Sequence, residues 1–185
     1  MAKRRSYRQA YGSGECGLCA IVSAVDTVCR SVDEDAAGEL LSALAQALPA
    51  ETVADLARTV YEEGTERPEM EVMIPAAQRW TRARGWPDWQ WESAHPHRGE
   101  TAEHFWDRLS AVPRRPHTAV IIGFGEDTDP ESRYGGHWTC IERITQRMIY
   151  VCDSDVYRRI PRSDTGIRPE PRWSIEDCFI LSRVT

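Results

Sequence analysis

No stretch of this 185-residue chain approaches the ~18 consecutive apolar residues that a membrane-spanning helix requires, so no such span is expected. Internal repeats and low-complexity linkers are also missing, which excludes a repeat architecture and a tethered pair of domains. An excess of basic charge is lacking: 23 Lys and Arg stand against 29 Asp and Glu, for a net charge of -6. That balance argues against a general nucleic-acid binder and favours a protein, peptide or small-molecule partner. The first residues, Met1 to Arg8, are basic, but polar residues and Glu15 separate them from the apolar run Leu18 to Val25, which Asp26 ends. No signal peptide is expected from that pattern. The six cysteines lack the dense, regular spacing of a secreted miniprotein, so they read as reduced thiols in a cytoplasmic protein.

What is present is one domain's worth of ordinary globular sequence, 41% hydrophobic and 28% charged, long enough to bury a core without staples. Helical patterns fill the first two thirds and strand patterns the last, which is α+β order and not alternating βαβ. A first helix is expected from about Glu15 to Cys29, with Leu18, Ile21, Val22 and Val25 at three- and four-residue intervals. A second starts at Ser31, where Ser-x-x-Glu34 forms a capping box, carries Leu40, Leu41, Leu44 and Leu48, and closes at Pro49. Further helices are expected over Glu51 to Glu63, Pro75 to Arg84 and Thr101 to Leu109. Trp86, Trp89 and Trp91 fall in a loop or short strand, and with Trp173 they suit the edge of a core better than a substrate groove. Strands are expected at Thr118 to Phe124, His137 to Ile144, Met148 to Asp153, Val156 to Ile160 and Asp177 to Val184. The eleven acidic residues between Asp33 and Glu71 read as solvated helix faces.

The segment Gln9-Ala-Tyr-Gly-Ser-Gly-Glu-Cys16-Gly-Leu-Cys19 carries the clearest chemistry, because it delivers a cysteine from a glycine-rich stretch into the start of a helix. A thiolate there is stabilised by unpaired N–H groups and the positive end of the macrodipole. A cysteine nucleophile also needs a base held by a third polar group. Four of the five histidines, His95, His97, His104 and His117, read as surface or packing residues beside prolines or on a helix. His137 follows Gly135-Gly136 and opens a strand at the rim of the sheet. The next strand ends in Asp153, and the midpoint of 137 and 153 is 145, inside a polar turn. A hairpin closed there by an odd-numbered loop places His137 opposite Asp153, with Cβ atoms ~4.5 to 5.5 Å apart. A two-residue loop would instead shift the register and send Asp153 to the other face.

A cysteine at a helix start with His and Asp on a following antiparallel sheet resembles the papain-like cysteine peptidases, specifically the bacterial C39 and C39-like group. Glu-Cys16-Gly-Leu resembles that group's nucleophile motif, Gln9 its oxyanion-hole glutamine, and His137-Trp-Thr-Cys-Ile with Asp153 its His and Asp strands. The likeness covers roughly residues 9 to 28 and 117 to 161; Gln9 lies seven residues before Cys16, one more than is usual in the group. It implies a single papain-like domain over 1–185, a helical half at about 9–112 packed on an antiparallel sheet at about 117–185. It also implies a thiol hydrolase without cofactor, cleaving peptide or protein amide bonds through Cys16, His137 and Asp153, with Gln9 in the oxyanion hole.

Other readings remain open at this level. The same triad serves acyl transfer, deamidation or crosslinking, and the fold can persist as a non-catalytic binding module. Cys16, Cys19, His137 and Cys140 have the composition of a zinc site, although residues three apart on a strand point to opposite faces. Cys140 and Cys152 lie in apolar patterns and read as core thiols. Cys16-x-x-Cys19 resembles a redox pair, and Gly12-x-Gly14-x-x-Gly17 matches a dinucleotide fingerprint, but neither follows a buried strand.

Overall fold

The computed structural model describes residues 14–29, 32–49, 55, 57–58, 64–125, 136–152, 158–167 and 173–184. Helix α1 spans Cys16–Cys29, α2 Glu34–Ala47, α3 Arg67–Ala83 and α4 Ala102–Leu109. The strands are β1 Trp89–Ser93, β2 Thr118–Phe124, β3 His137–Ile144, β4 Met148–Cys152, β5 Arg159–Pro161, β6 Thr165–Ile167 and β7 Trp173–Arg183. They form one seven-stranded sheet in the order β1-β7-β2-β3-β4-β5, with β6 pairing β7. Every pair is antiparallel except β6 with β7. The molecule is therefore α+β, as its patterning implied.

Two expected helix starts moved by several residues, each for a local reason. Helix α2 starts at Glu34 and not Ser31, because Asp33 is its cap and accepts the Ala36 amide at 2.9 Å. Helix α3 starts eight residues before the expected Pro75. Glu66 and Glu69 form a capping box, Pro68 fits the first turn, and Met70, Met73, Ile74 and Ala77 carry one buried face straight past Pro75. The helix expected over Glu51 to Glu63 lies almost wholly outside the described residues.

The sheet is not confined to the C-terminal half. Strand β1 comes from inside the expected helical half and pairs Trp89 to Ser93 with Arg183 to Phe179 of β7. Nor do all helices share one face. Helices α1, α2 and α3 pack with Trp89, Ala119, Ile121, Trp138, Cys140, Phe179 and Leu181. On the other face α4 packs Phe105, Trp106 and Leu109 with Val120, Ile122, Ile141, Val151 and Ile180. Alternation along the strands produces this division, since β2 presents Ile121 to one layer and Val120 and Ile122 to the other. Strand β7 lies between β1 and β2 and runs fully buried from Cys178 to Leu181, as a strand covered on both faces must. Trp106 Nε1 donates to Thr165 Oγ1 at 2.8 Å and Arg162 pairs with Asp107 at 2.8 Å, tying α4 to the β5–β6 end of the sheet. Of the four tryptophans expected at a core edge, Trp89 and Trp173 are buried, and Trp86 and Trp91 are half-buried against the core.

The β3–β4 hairpin departs from the expected register. Its loop is Gln146-Arg147, closed by Thr145 N–H to Met148 O at 2.8 Å and Met148 N–H to Thr145 Oγ1 at 3.0 Å. Ile144 pairs with Ile149 and Arg143 with Tyr150; Glu142 is then bulged out, and Ile141 pairs with Val151 and Cys140 with Cys152. A hairpin centred on 145 would have set Cys140 against Tyr150. The bulge has a clear physical purpose: Ile141 and Ile144, three apart, both reach the α4 layer only because one extra residue intervenes. It also keeps Cys140 and Cys152 together on the α1 face. Among the described residues no helix is long and apolar enough to cross a membrane.

Candidate functional site

Cys16 is the first residue of α1, and Cys19 N–H bonds back to Glu15 O at 2.9 Å, so the amides of Cys16, Gly17 and Leu18 have no acceptor within the helix. Such a turn favours negative charge beside it and offers N–H groups to an oxyanion. The helix is buried along nearly its whole length, because it runs between the sheet and the α2–α3 pair and packs on β2, β3 and β7. Cys16 is only 5% exposed.

The first turn is seated by Thr65, just before α3. A Cβ on Gly17 would collide with Thr65 Oγ1 and lie 3.0 Å from Met70 Sδ, so only glycine permits this approach. Thr65 O in turn accepts Trp138 Nε1–H at 2.6 Å. Trp138 stacks on Phe179 at 6.0 Å and lies over Gly123, where an added Cβ would come within 2.7 Å of the ring. Residues Gly17, Thr65 and Trp138 thus link the turn that carries Cys16 to the start of β3.

His137, one residue before Trp138, opens β3 and pairs with Phe124, the last residue of β2. Both His137 and Cys16 therefore stand at the same end of the sheet. They do not share a face. The unbroken register gives His137 the side of Phe124, which packs on Trp173, whereas Trp138 and Cys140 take the side of α1. A Cys16–His137 pair has to form around the end of the sheet, past Trp138. Gln9 and Asp153, the other two expected site residues, lie outside the described residues.

The zinc constellation is not assembled by this strand. His137 to Cys140 is regular β-structure paired with Phe124 to Ile121, which puts the two side chains on opposite faces. Cys140 and Cys152 are buried core thiols, and the other four cysteines are buried thiols as well. Burial pushes the Cys29 thiol up to about 11, and burial likewise raises Cys178, so neither supplies a ready thiolate.

One group was missed in the sequence. His95, expected to be a surface or packing residue, lies half-buried on the α1 face with its Nδ1 3.2 Å from Asp177 Oδ1. Its ring meets Phe179 edge-on at 5.2 Å, and its Nε2 is enclosed with no hydrogen-bond partner among the described residues. Burial, and then the nearby Arg67 charge, lower its pKa below the ordinary 6.5, against the opposing pull of Asp177 and Glu71. No local signal announces the pair: residues 95 and 177 meet only because β1 docks beside β7.

Compared with protein-family models and with curated proteins, the chain matches none.

Proposed function

We propose that the protein is a papain-like thiol hydrolase that cleaves peptide or protein amide bonds with Cys16 as nucleophile. The observation that carries this reading is the placement of Cys16 at the head of a buried helix, with its first turn joined through Thr65 to Trp138, the neighbour of His137. In the proposed reaction the Cys16 thiolate attacks the carbonyl carbon, and an S–C bond forms as the oxygen takes the negative charge. The Cys16 amide, with Gln9, holds that oxyanion. His137, protonated by the thiol, gives its proton to the leaving nitrogen as the C–N bond breaks, and water then releases the acyl group by the reverse sequence. Asp153 orients the imidazole in this scheme. The thiol state of all six cysteines, the facing Cys140 and Cys152 included, supports a reducing, cytoplasmic setting.

The decisive test is an acyl-directed thiol probe together with a peptide-library hydrolysis assay. Wild type is expected to be labelled at Cys16 and to cleave peptides, and Cys16→Ala to lose labelling and at least ~10³-fold in rate. Folded wild type that neither labels nor cleaves would refute the hydrolase. Amine incorporation without hydrolysis would reassign the same site to acyl transfer, and one equivalent of bound zinc would replace it with a metal site.

A further inference from the structure

The buried ionisable group around His95 has no part in the scheme above, and its geometry contains a conflict. Nδ1 of His95 lies 3.2 Å from Asp177 Oδ1 and also accepts the Cys178 amide hydrogen at 3.0 Å. One ring nitrogen cannot serve both. With the proton on Nε2, Nδ1 takes the Cys178 hydrogen on its one lone pair and has no hydrogen to offer the Asp177 carboxylate. With Nδ1 protonated, the imidazolium donates to Asp177 and the Cys178 amide loses its acceptor. Among the described residues, the charged groups facing the ring are Asp177 from β7 and Arg67 and Glu71 from α3.

Asp177 is shared. Its Oδ1 is 3.5 Å from Arg67 Nη1, and Arg67 Nε is held by Glu71 Oε1 at 2.8 Å. Arg67 is the first residue of α3, two residues beyond Thr65, which seats Gly17 and accepts from Trp138. A carboxylate that turns from Arg67 to an imidazolium releases the start of α3 on one side and adds a cation beside Arg67 on the other. Both effects act on the segment that carries the Thr65 contact. Thr65 Oγ1 is itself buried with no hydrogen-bond partner among the described residues, so its close approach to Gly17, and no side-chain hydrogen bond among them, holds this side chain in place.

We propose that His95 and Asp177 are positioning residues for Cys16: protonation of His95 draws Asp177 away from Arg67, loosens the Thr65 contact and unseats the first turn of α1. The proposal rests on the hydrolase reading only in taking Cys16 as the nucleophile. Because His95 is held below its ordinary 6.5, the seated form is the one present at neutral pH and the loosening sets in on the acid side.

The test measures how fast Cys16 in the full chain reacts with a dipyridyl disulfide, a reagent that remains active in acid. Adduct at Cys16 is identified by mass spectrometry, and each rate is divided by that of an unstructured peptide thiol at the same pH. In wild type this ratio is expected to rise ~10-fold between about pH 7 and pH 5, the factor that accompanies one unit of differential protonation. His95→Gln is expected to hold the ratio flat and low, and Asp177→Asn to hold it flat and already raised at neutral pH. A wild-type-like rise in His95→Gln, or no rise in wild type, overturns the proposal. Should His95→Gln not fold, judged by near-ultraviolet circular dichroism, a wild-type-like rise in Asp177→Asn overturns it equally. Peptide hydrolysis on the same samples separates the two ideas. The acid rise without any hydrolysis removes the hydrolase and leaves the coupling, whereas hydrolysis with no acid rise removes the coupling alone.

Discussion

Gly17 shows how a single hydrogen atom in place of a methyl group can fix a site. Its Cα surface is the ground on which Thr65 rests, with Met70 beside it, and the next residue back along the helix is Cys16. Gly17→Ala is expected to destabilise the fold by ~1–3 kcal/mol through overpacking, or a fall of ~2–12 °C in melting temperature for a chain of this size. Thr65→Ala should recover part of that loss, because the clash is with Oγ1, and a double-mutant cycle by thermal unfolding would measure the coupling. Purely additive losses would mean that Thr65 is not what fills the space. Such a contact was illegible in the sequence. Gly12-x-Gly14-x-x-Gly17 invited a reading in terms of loops and phosphates, while the actual demand on Gly17 comes from a threonine 48 positions away. His95 was illegible for the same reason, since its carboxylate partner lies on a strand 82 positions later.

At the scale of the element, local chemistry was read more successfully than geometry. Helix α1 and strands β2, β3 and β4 fall close to where periodicity put them, because each carries an uninterrupted apolar pattern. Helix starts were less secure. Ser31 and Asp33 both offer a cap before Glu34, and Asp33, with its acceptor 2.9 Å from the Ala36 amide, is the one used. Asp33→Ala should therefore cost about 1 kcal/mol in a denaturant titration, with no change in the slope of the unfolding free energy on denaturant. An unaffected midpoint would show that the cap is dispensable. The hairpin fared worst, since neither its two-residue loop nor the bulge at Glu142 can be counted from apolar spacing alone. Only the requirement that Ile141 and Ile144 share a layer hints at the extra residue, and that requirement becomes visible once the layers are known.

At the scale of the molecule, the reading of an α+β chain with helices before most of the sheet was sound, but the layering was not. Nothing in the order of patterns revealed that α4 would cover the face opposite α1, or that β1 would join the sheet at its far edge. The end shared by Cys16, His137, His95 and Asp177 is a product of that assembly: β1 and β7 bring the last two residues, α1 and β3 the first two. Removing 173–185 should abolish the cooperative unfolding transition, because β7 contributes Phe179 and Leu181 to one core and Ile175, Cys178 and Ile180 to the other. A sharp thermal transition in that truncation would show that β7 is an accessory strand and not a keystone.

The position of β7 between β1 and β2 also sets the timing of assembly. It pairs with β1 and β2 across long stretches of chain, and of the elements described here it leaves the ribosome last. Until it arrives, β2 has an open flank and both helical layers lack part of their floor, so the nascent chain carries an unpaired apolar edge of the kind that recruits other strands. Closure of such distant pairings is slow. Refolding should accordingly become concentration-sensitive, with yield limited by how long β2 waits for its partner.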